Sequence, residues 1–274
     1  MKLKKVLSTL AALVATAVIF TGCGGEDKGG AANSEKNLKI GATPVPHAEF
    51  LEQIKPTLKE EGINLEIIEF SDYVQPNTAL NDKELDANFF QHEPYLKDFV
   101  KEHKEMKLVN AAGIHIEPMG IYSKKITDLK NLADGSSVAI PNDPTNGGRA
   151  LLLLEKANLL KLKEGVNENA TVQDIVENPK KLKFNEVEAA QVPRTLEDVD
   201  IAIINTNFAM QINLVPTKDA LFMEDSTSPY VNIVAVREGD ENRPEIQALI
   251  KALKSDKIKK FIEEKYKGAI VPAF

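Results

Sequence analysis

The chain has 274 residues, 43% of them hydrophobic, with a formal net charge of −7 and one cysteine. The acidic balance argues against nucleic acid as a partner, and a single cysteine excludes an internal disulfide framework. Stability must come from apolar burial, which a chain of this length can supply.

Lys2, Lys4 and Lys5 precede an apolar run over 6–20 that ends Phe20-Thr21-Gly22-Cys23. Basic residues before such a run fit an export signal, and the run is shorter than the roughly 20 residues a membrane helix needs. Small residues before a lone cysteine resemble a bacterial lipobox, with Phe20 in place of the usual leucine. The expectation is a signal peptide over 1–22, lipidation of Cys23, and a chain held by its lipid at the extracytoplasmic face of the membrane. Loss of 1–22 removes lysines and no acid, making the mature chain more acidic still. Residues 23–37, small and charged, read as a flexible tether.

Leu38, Ile40 and Ala42 alternate as a strand, and Phe50, Leu51, Ile54 and Leu58 are spaced as a helix that Gly62 ends. Residues 65–70 form a second strand, Pro76 opens a short helix to Leu85, and 87–91 form a third strand. Pro94 starts a helix carrying Tyr95, Leu96, Phe99 and Val100. Residues 108–122 read as two extended runs broken by Gly113, with Pro118-Met119-Gly120 as a crossing point. A short helix over 128–132 precedes the strand 138–140, a turn, and a helix from Arg149. Leu182 and Phe184 mark a strand, 186–196 a helix, 199–204 a strand and 230–236 an extended return. Helices over 244–253 and 257–266 close the chain. This is α/β grammar with a mainly parallel sheet, stated twice, and it predicts two lobes across a cleft.

Open α/β sheets bind ligands beyond the carboxyl ends of their strands. The residues to examine are therefore 43–47, Tyr73, 90–92, 142–149, Asn205 and Asn207. Aromatic groups dominate the first unit and polar or cationic groups the second, a division suited to a small zwitterion with an apolar tail. The centre is 138–151, a strand, a turn with Gly147 and Gly148, and a helix N-terminus. Unpaired amides and the helix dipole favour an anion there. The glycines would let backbone approach a ligand, and Arg149 adds a fork able to grip a carboxylate with two bonds. The local pattern fits at least as well a second reading, in which Asn146 merely caps the helix and Arg149 lies on its wet face. Strand alternation puts Phe89 and Gln91 on one face and Phe90 and His92 on the other, and the latter pair is assigned to the cleft.

The chain has no G-x-S-x-G elbow, no phosphate-binding G-x-x-x-x-G-K-[ST] and no G-x-G-x-x-G, so neither an enzyme nor a cofactor is expected. The histidines are His47, His92, His103 and His115. His92-Glu93 and His115-x-Glu117 are noted, but without H-E-x-x-H or a His-rich loop no metal site is assigned. His103 reads as a solvated helix residue.

Four stretches carry a family likeness: 85–92 (LDANFFQH), Pro141-Asn142-Asp143 with Asn146 and Arg149-Ala150-Leu151, 202–207 (AIINTN) and 228–232 (SPYVN). Together they resemble the methionine-binding lipoproteins of ABC importers, over nearly the whole chain. The resemblance implies a two-lobed periplasmic-binding-protein-like fold with a double crossover. Lobe I would comprise 38–118 plus 229–274, and lobe II 119–228. It further implies a methionine-like amino acid as ligand, captured by hinge closure and handed to a membrane permease driven by a separate ATPase. Carried over by position, Arg149 becomes the carboxylate-gripping arginine, while Asn205 and Asn232 hold the ligand's backbone end. Tyr73, Phe90 and His92 surround its side chain, and Asn146 is a further candidate. Phe89 stands where relatives often carry tyrosine, which would tilt preference towards an N-blocked or dipeptide ligand such as glycyl-methionine. Another amino acid, a peptide or sulfonate, a metal, and a surface-adhesin role are the readings left open.

Overall fold

β1 (Lys36–Ala42) buries Leu38, Ile40 and Ala42 completely. The computed structural model describes residues 36–225 and 227–274, so the strand starts inside the stretch expected to be tether. The expected signal peptide, Cys23 and the rest of the tether lie outside the described residues. α1 (Glu49–Glu60) lays Phe50, Leu51, Ile54 and Leu58, a single helical stripe, into the same core. β2 (Ile63–Glu69) then pairs with β1 in parallel. α2 (Gln75–Asn81) leads into β3 (Ala87–His92), buried along its whole length and parallel to β1 on the other side. α3 (Glu93–Glu102) and β4 (Leu108–Ile116) follow. β4 continues through Gly113, where a Cβ would stand 2.8 Å from Val231 Cγ1; the glycine admits a neighbouring strand instead of breaking its own.

The chain then crosses to a second sheet. Its elements are β5 (Gly120–Tyr122), β6 (Ser137–Pro141), α4 (Pro144–Lys156), a ribbon of β7 (Lys161–Leu162) and β8 (Ile175–Glu177), and β9 (Lys183–Val187). β10 (Ile201–Ile204), α5 (Thr206–Gln211), α6 (Pro216–Asp219) and β11 (Phe222–Met223) complete this part. The chain crosses back into β12 (Val231–Arg237) and ends with α7 (Pro244–Leu253), α8 (Asp256–Tyr266) and β13 (Val271–Pro272). Strand order is β13-β4-β12-β3-β1-β2 in the first sheet and β11-β5-β10-β6-β9 in the second. Both sheets are mixed, not mainly parallel as expected, because the crossings and the return add antiparallel strands at β4, β5, β11, β12 and β13. The helix expected over 186–196 is the end of β9 and a 3₁₀ segment, Ala189–Glu197, with Pro193 inside it.

Gly147 and Gly148 face protein, not ligand. A Cβ on Gly148 would stand 2.0 Å from the Glu168 carbonyl oxygen, and one on Gly147 2.8 Å from that of Pro141. The glycines thus seat α4 against the loop around 168 and the end of β6. Gly148→Ala forces backbone apart and is expected to cost about 1–3 kcal/mol, as overpacked sites do. A thermal melt checks this; an unchanged midpoint would mean that the loop yields without cost.

Candidate ligand-binding site

Asp143 and Pro144 start α4 as N-cap and first helical residue. The Asp143 carboxylate accepts from the Asn146 amide and from Asn146 Nδ2, both at 2.9 Å, and from the Thr145 hydroxyl at 3.2 Å. The anion expected at this helix end is therefore the chain's own. Asn146 is not the cap. Its Oδ1 accepts from His92 Nε2 at 3.1 Å and Asn205 Nδ2 at 2.7 Å, joining the end of β3 to the starts of α4 and α5. His92 Nδ1 accepts the Tyr95 amide proton, which places the ring proton on Nε2. Burial and the nearby Arg149 charge push the His92 pKa down to about 3, so the ring is neutral.

Arg149 is 3% exposed, which rules out the wet-face reading. Its Nε and Nη2 grip Glu224 at 2.8 and 2.5 Å, and Nη2 also donates to the Glu117 carbonyl at 2.8 Å. The Tyr230 ring lies 4.2 Å from the guanidinium carbon. Burial would depress the Arg149 pKa, but the charge and hydrogen bonds of Glu224 outweigh it and hold the group protonated. The two-bond grip expected for a ligand carboxylate is thus spent on Glu224. Nη1 is the guanidinium nitrogen without a protein partner among the described residues.

These side chains border a narrow cavity of about 20 Å³ between the two sheets. All seven expected residues line it: Tyr73, Phe90, His92, Asn146, Arg149, Asn205 and Asn232. So do Asn207 and Gln91, both within the stretches marked for examination although alternation turned Gln91 away from the cleft, and Tyr95, Glu117 and Thr206, which lay outside those stretches. Tyr73 and Phe90 form an aromatic wall, their ring centroids 5.8 Å apart, and the Tyr73 hydroxyl donates across the cleft to Asn207 Oδ1 at 2.6 Å. Among the described residues, buried Asn205 Oδ1 and Asn207 Nδ2 have no hydrogen-bond partner. Phe89 points the other way, edge-on to His47 at 4.7 Å and His115 at 5.4 Å in the core. A hydroxyl at that position would face histidines, so the argument from Phe89 to a dipeptide ligand loses its basis.

Behind the cavity, Glu117 Oε1 accepts from His115 Nε2 at 2.7 Å and lies 3.2 Å from His47 Nε2. His47 also contacts Thr43 Oγ1 at 2.7 Å through Nδ1 and Asn232 Oδ1 at 3.1 Å through Nε2. Burial pushes His47 down to about 4 and His115 to about 3, while it raises the Glu117 pKa. The donor atoms of the three lie within 4.8 Å of one another, a span that suits a cation. Both Nε2 atoms are already turned to the carboxylate, while buried His115 Nδ1 has no hydrogen-bond partner among the described residues. The alternation His115-x-Glu117 was readable as one strand face. Glu224 reaches the site from a distant part of the chain and leaves no local signal, whereas His47 lay in the stretch 43–47 that follows the first strand. His103 is half-buried, stacked on Phe99 at 4.2 Å, and is not the solvated residue expected.

A cleft between two α/β sheets joined by two crossings, with a polar end and an aromatic end, defines a periplasmic-binding-protein-like fold. The NlpA lipoprotein family model matches residues 38–274, and the chain belongs to that family. It is 44% identical to the methionine-binding lipoprotein MetQ of Bacillus subtilis, over 96% of each chain. It is 41% identical to the D-methionine-binding lipoprotein MetQ of Escherichia coli K12, over 97% of each. Among solved structures, a nutrient-binding protein from Burkholderia cenocepacia bound to methionine superposes with a TM-score of 0.83 at 50% identity. That match covers 86% of this chain and 100% of the other. No helix among the described residues is long and apolar enough to cross a membrane.

Proposed function

We propose that the chain captures free methionine, L- or D-, outside the cytoplasmic membrane, anchored there by lipid on Cys23, and delivers it to an ABC permease driven by a separate ATPase. One juxtaposition carries this reading: Arg149, whose Nη1 has no protein partner among the described residues, and the Tyr73–Phe90 wall border the same cavity. The ligand carboxylate goes to the first and the thioether to the second. Asn205 Oδ1 and Asn207 Nδ2 add an acceptor and a donor for the ligand's polar end. The names of the B. subtilis and E. coli relatives, and the methionine in the Burkholderia protein, support the same choice.

In this reading 38–118 with 229–274 form one lobe and 119–228 the other, and the two crossings act as the hinge. The bonds Tyr73–Asn207 and His92–Asn146 latch the lobes together, so ligand entry requires both to break. Sulfur–aromatic contact is worth about 0.3–1.5 kcal/mol, and one methylene discriminates only about 10–200-fold. Preference over leucine is therefore real but limited.

A thermal-shift screen on the chain lacking residues 1–23 tests the reading. Methionine at about 100 times its dissociation constant should add about 2.7 kcal/mol, or roughly 5–10 °C in midpoint. The panel includes both enantiomers, glycyl-methionine, leucine, and zinc or manganese with and without chelator. A shift with the cations alone would make the protein a metal receptor. No shift with any compound would overturn methionine capture.

A further inference from the structure

Glu117 is held from every side. Arg149 Nη2 donates to its carbonyl at 2.8 Å, and the Thr206 hydroxyl donates to the next carbonyl, that of Pro118, at 2.5 Å. His47 and His115 fix its Oε1, which leaves Oε2 outside that relay. The residue is 6% exposed and borders the cavity. The charges do not balance. Arg149 is matched by Glu224, whereas the salt-bridge partners of Glu117 among the described residues are two histidines, which burial keeps neutral. A buried carboxylate bordering a cavity, held by two neutral histidines while the nearby Arg149 is already paired with Glu224, is built to receive a further cation.

We propose that Glu117 reads the free ammonium of the ligand and so makes the cleft select unblocked α-amino acids over their N-acylated forms. This rests on the amino-acid reading above and names the group that enforces it. With carboxylate on Arg149 Nη1 and ammonium on Glu117, the two ends of one zwitterion meet opposite charges at neighbouring points of one wall. An N-acyl ligand brings a carboxylate and no cation, and leaves Glu117 both buried and unpaired. Ammonium binding also favours ionised Glu117, so a proton held there in the free protein leaves to solvent. The groups facing Glu117 are His47, His115, Arg149 with its partner Glu224, and the hydroxyls of Tyr73 and Tyr266. Burial holds the two histidines well below their usual range.

Isothermal titration of methionine and N-acetylmethionine into wild type and Glu117→Gln tests this. The variant should lose about 10–100-fold in affinity for methionine, the worth of a charged hydrogen bond, and nothing for the acetylated ligand. Equal losses for both ligands, or unchanged methionine affinity, would overturn the assignment while leaving amino-acid capture intact. Wild type that binds no α-amino acid would overturn both. If Glu117→Gln does not fold, wild type that binds N-acetylmethionine as tightly as methionine overturns the proposal alone.

Discussion

Arg149→Met is expected to abolish useful capture of methionine and to destabilise the fold at the same time. Affinity should fall by about 2–5 kcal/mol, because the ligand carboxylate would be buried without its cation. Stability should fall by about 3–5 kcal/mol for a separate reason: Glu224, whose side chain is only 9% exposed, loses the charge that pairs it. The two losses are separable. Adding Glu224→Gln to Arg149→Met removes the stranded charge, so the double variant should recover much of the melting midpoint and none of the affinity. An Arg149→Met protein with wild-type affinity would leave Arg149 a purely structural residue, a counter-ion for Glu224 and a platform on Tyr230.

Mild acid should weaken the fold well before ordinary carboxylates titrate. His47, His92 and His115 lie near 4, 3 and 3 in the folded chain, against 6.5 when unfolded. Each is neutral in the fold, so the unfolded chain takes up the extra protons as pH drops below 6.5, and stability falls with pH until the folded values are reached. At about 1.4 kcal/mol per pH unit, each histidine costs roughly 3 kcal/mol by pH 4, a large share of the 5–15 kcal/mol that typical folds possess. Glu117 opposes this: its raised folded pKa means that the fold holds that proton more tightly, which returns part of the loss as pH falls. Melting midpoints taken across pH 4–6.5 should therefore decline steeply, and less so in His115→Phe. A flat profile would mean that the three rings are not neutral and buried as described.

What could be read in the sequence was what neighbouring residues settle among themselves. The stripe Phe50, Leu51, Ile54 and Leu58 announced α1 because its spacing is a property of the helix itself. Phe90 and His92 were separable from Phe89 because strand geometry alternates, and Phe89 does face the core. Gly147 and Gly148 misled, since a glycine signals close approach without saying what approaches; here it is the carbonyls of Pro141 and Glu168. The sequence Asp143-Pro144 already spelled a cap and first turn, so the acid at that helix end was legible and overlooked in favour of Asn146. Glu224 was not legible. It meets Arg149 only because the chain crosses back between β11 and β12, and no local pattern encodes that meeting. His47 joins Glu117 for the same kind of reason, through the pairing of β4 and β12 that brings Asn232 and His115 alongside.

The most direct test is a crystal structure of the soluble chain grown with methionine. The ligand carboxylate should lie within hydrogen-bond distance of Arg149 Nη1, with its thioether between Tyr73 and Phe90 and the Arg149–Glu224 pair intact. Methionine bound outside this cavity, or inside it with its carboxylate turned away from Arg149, would contradict the account.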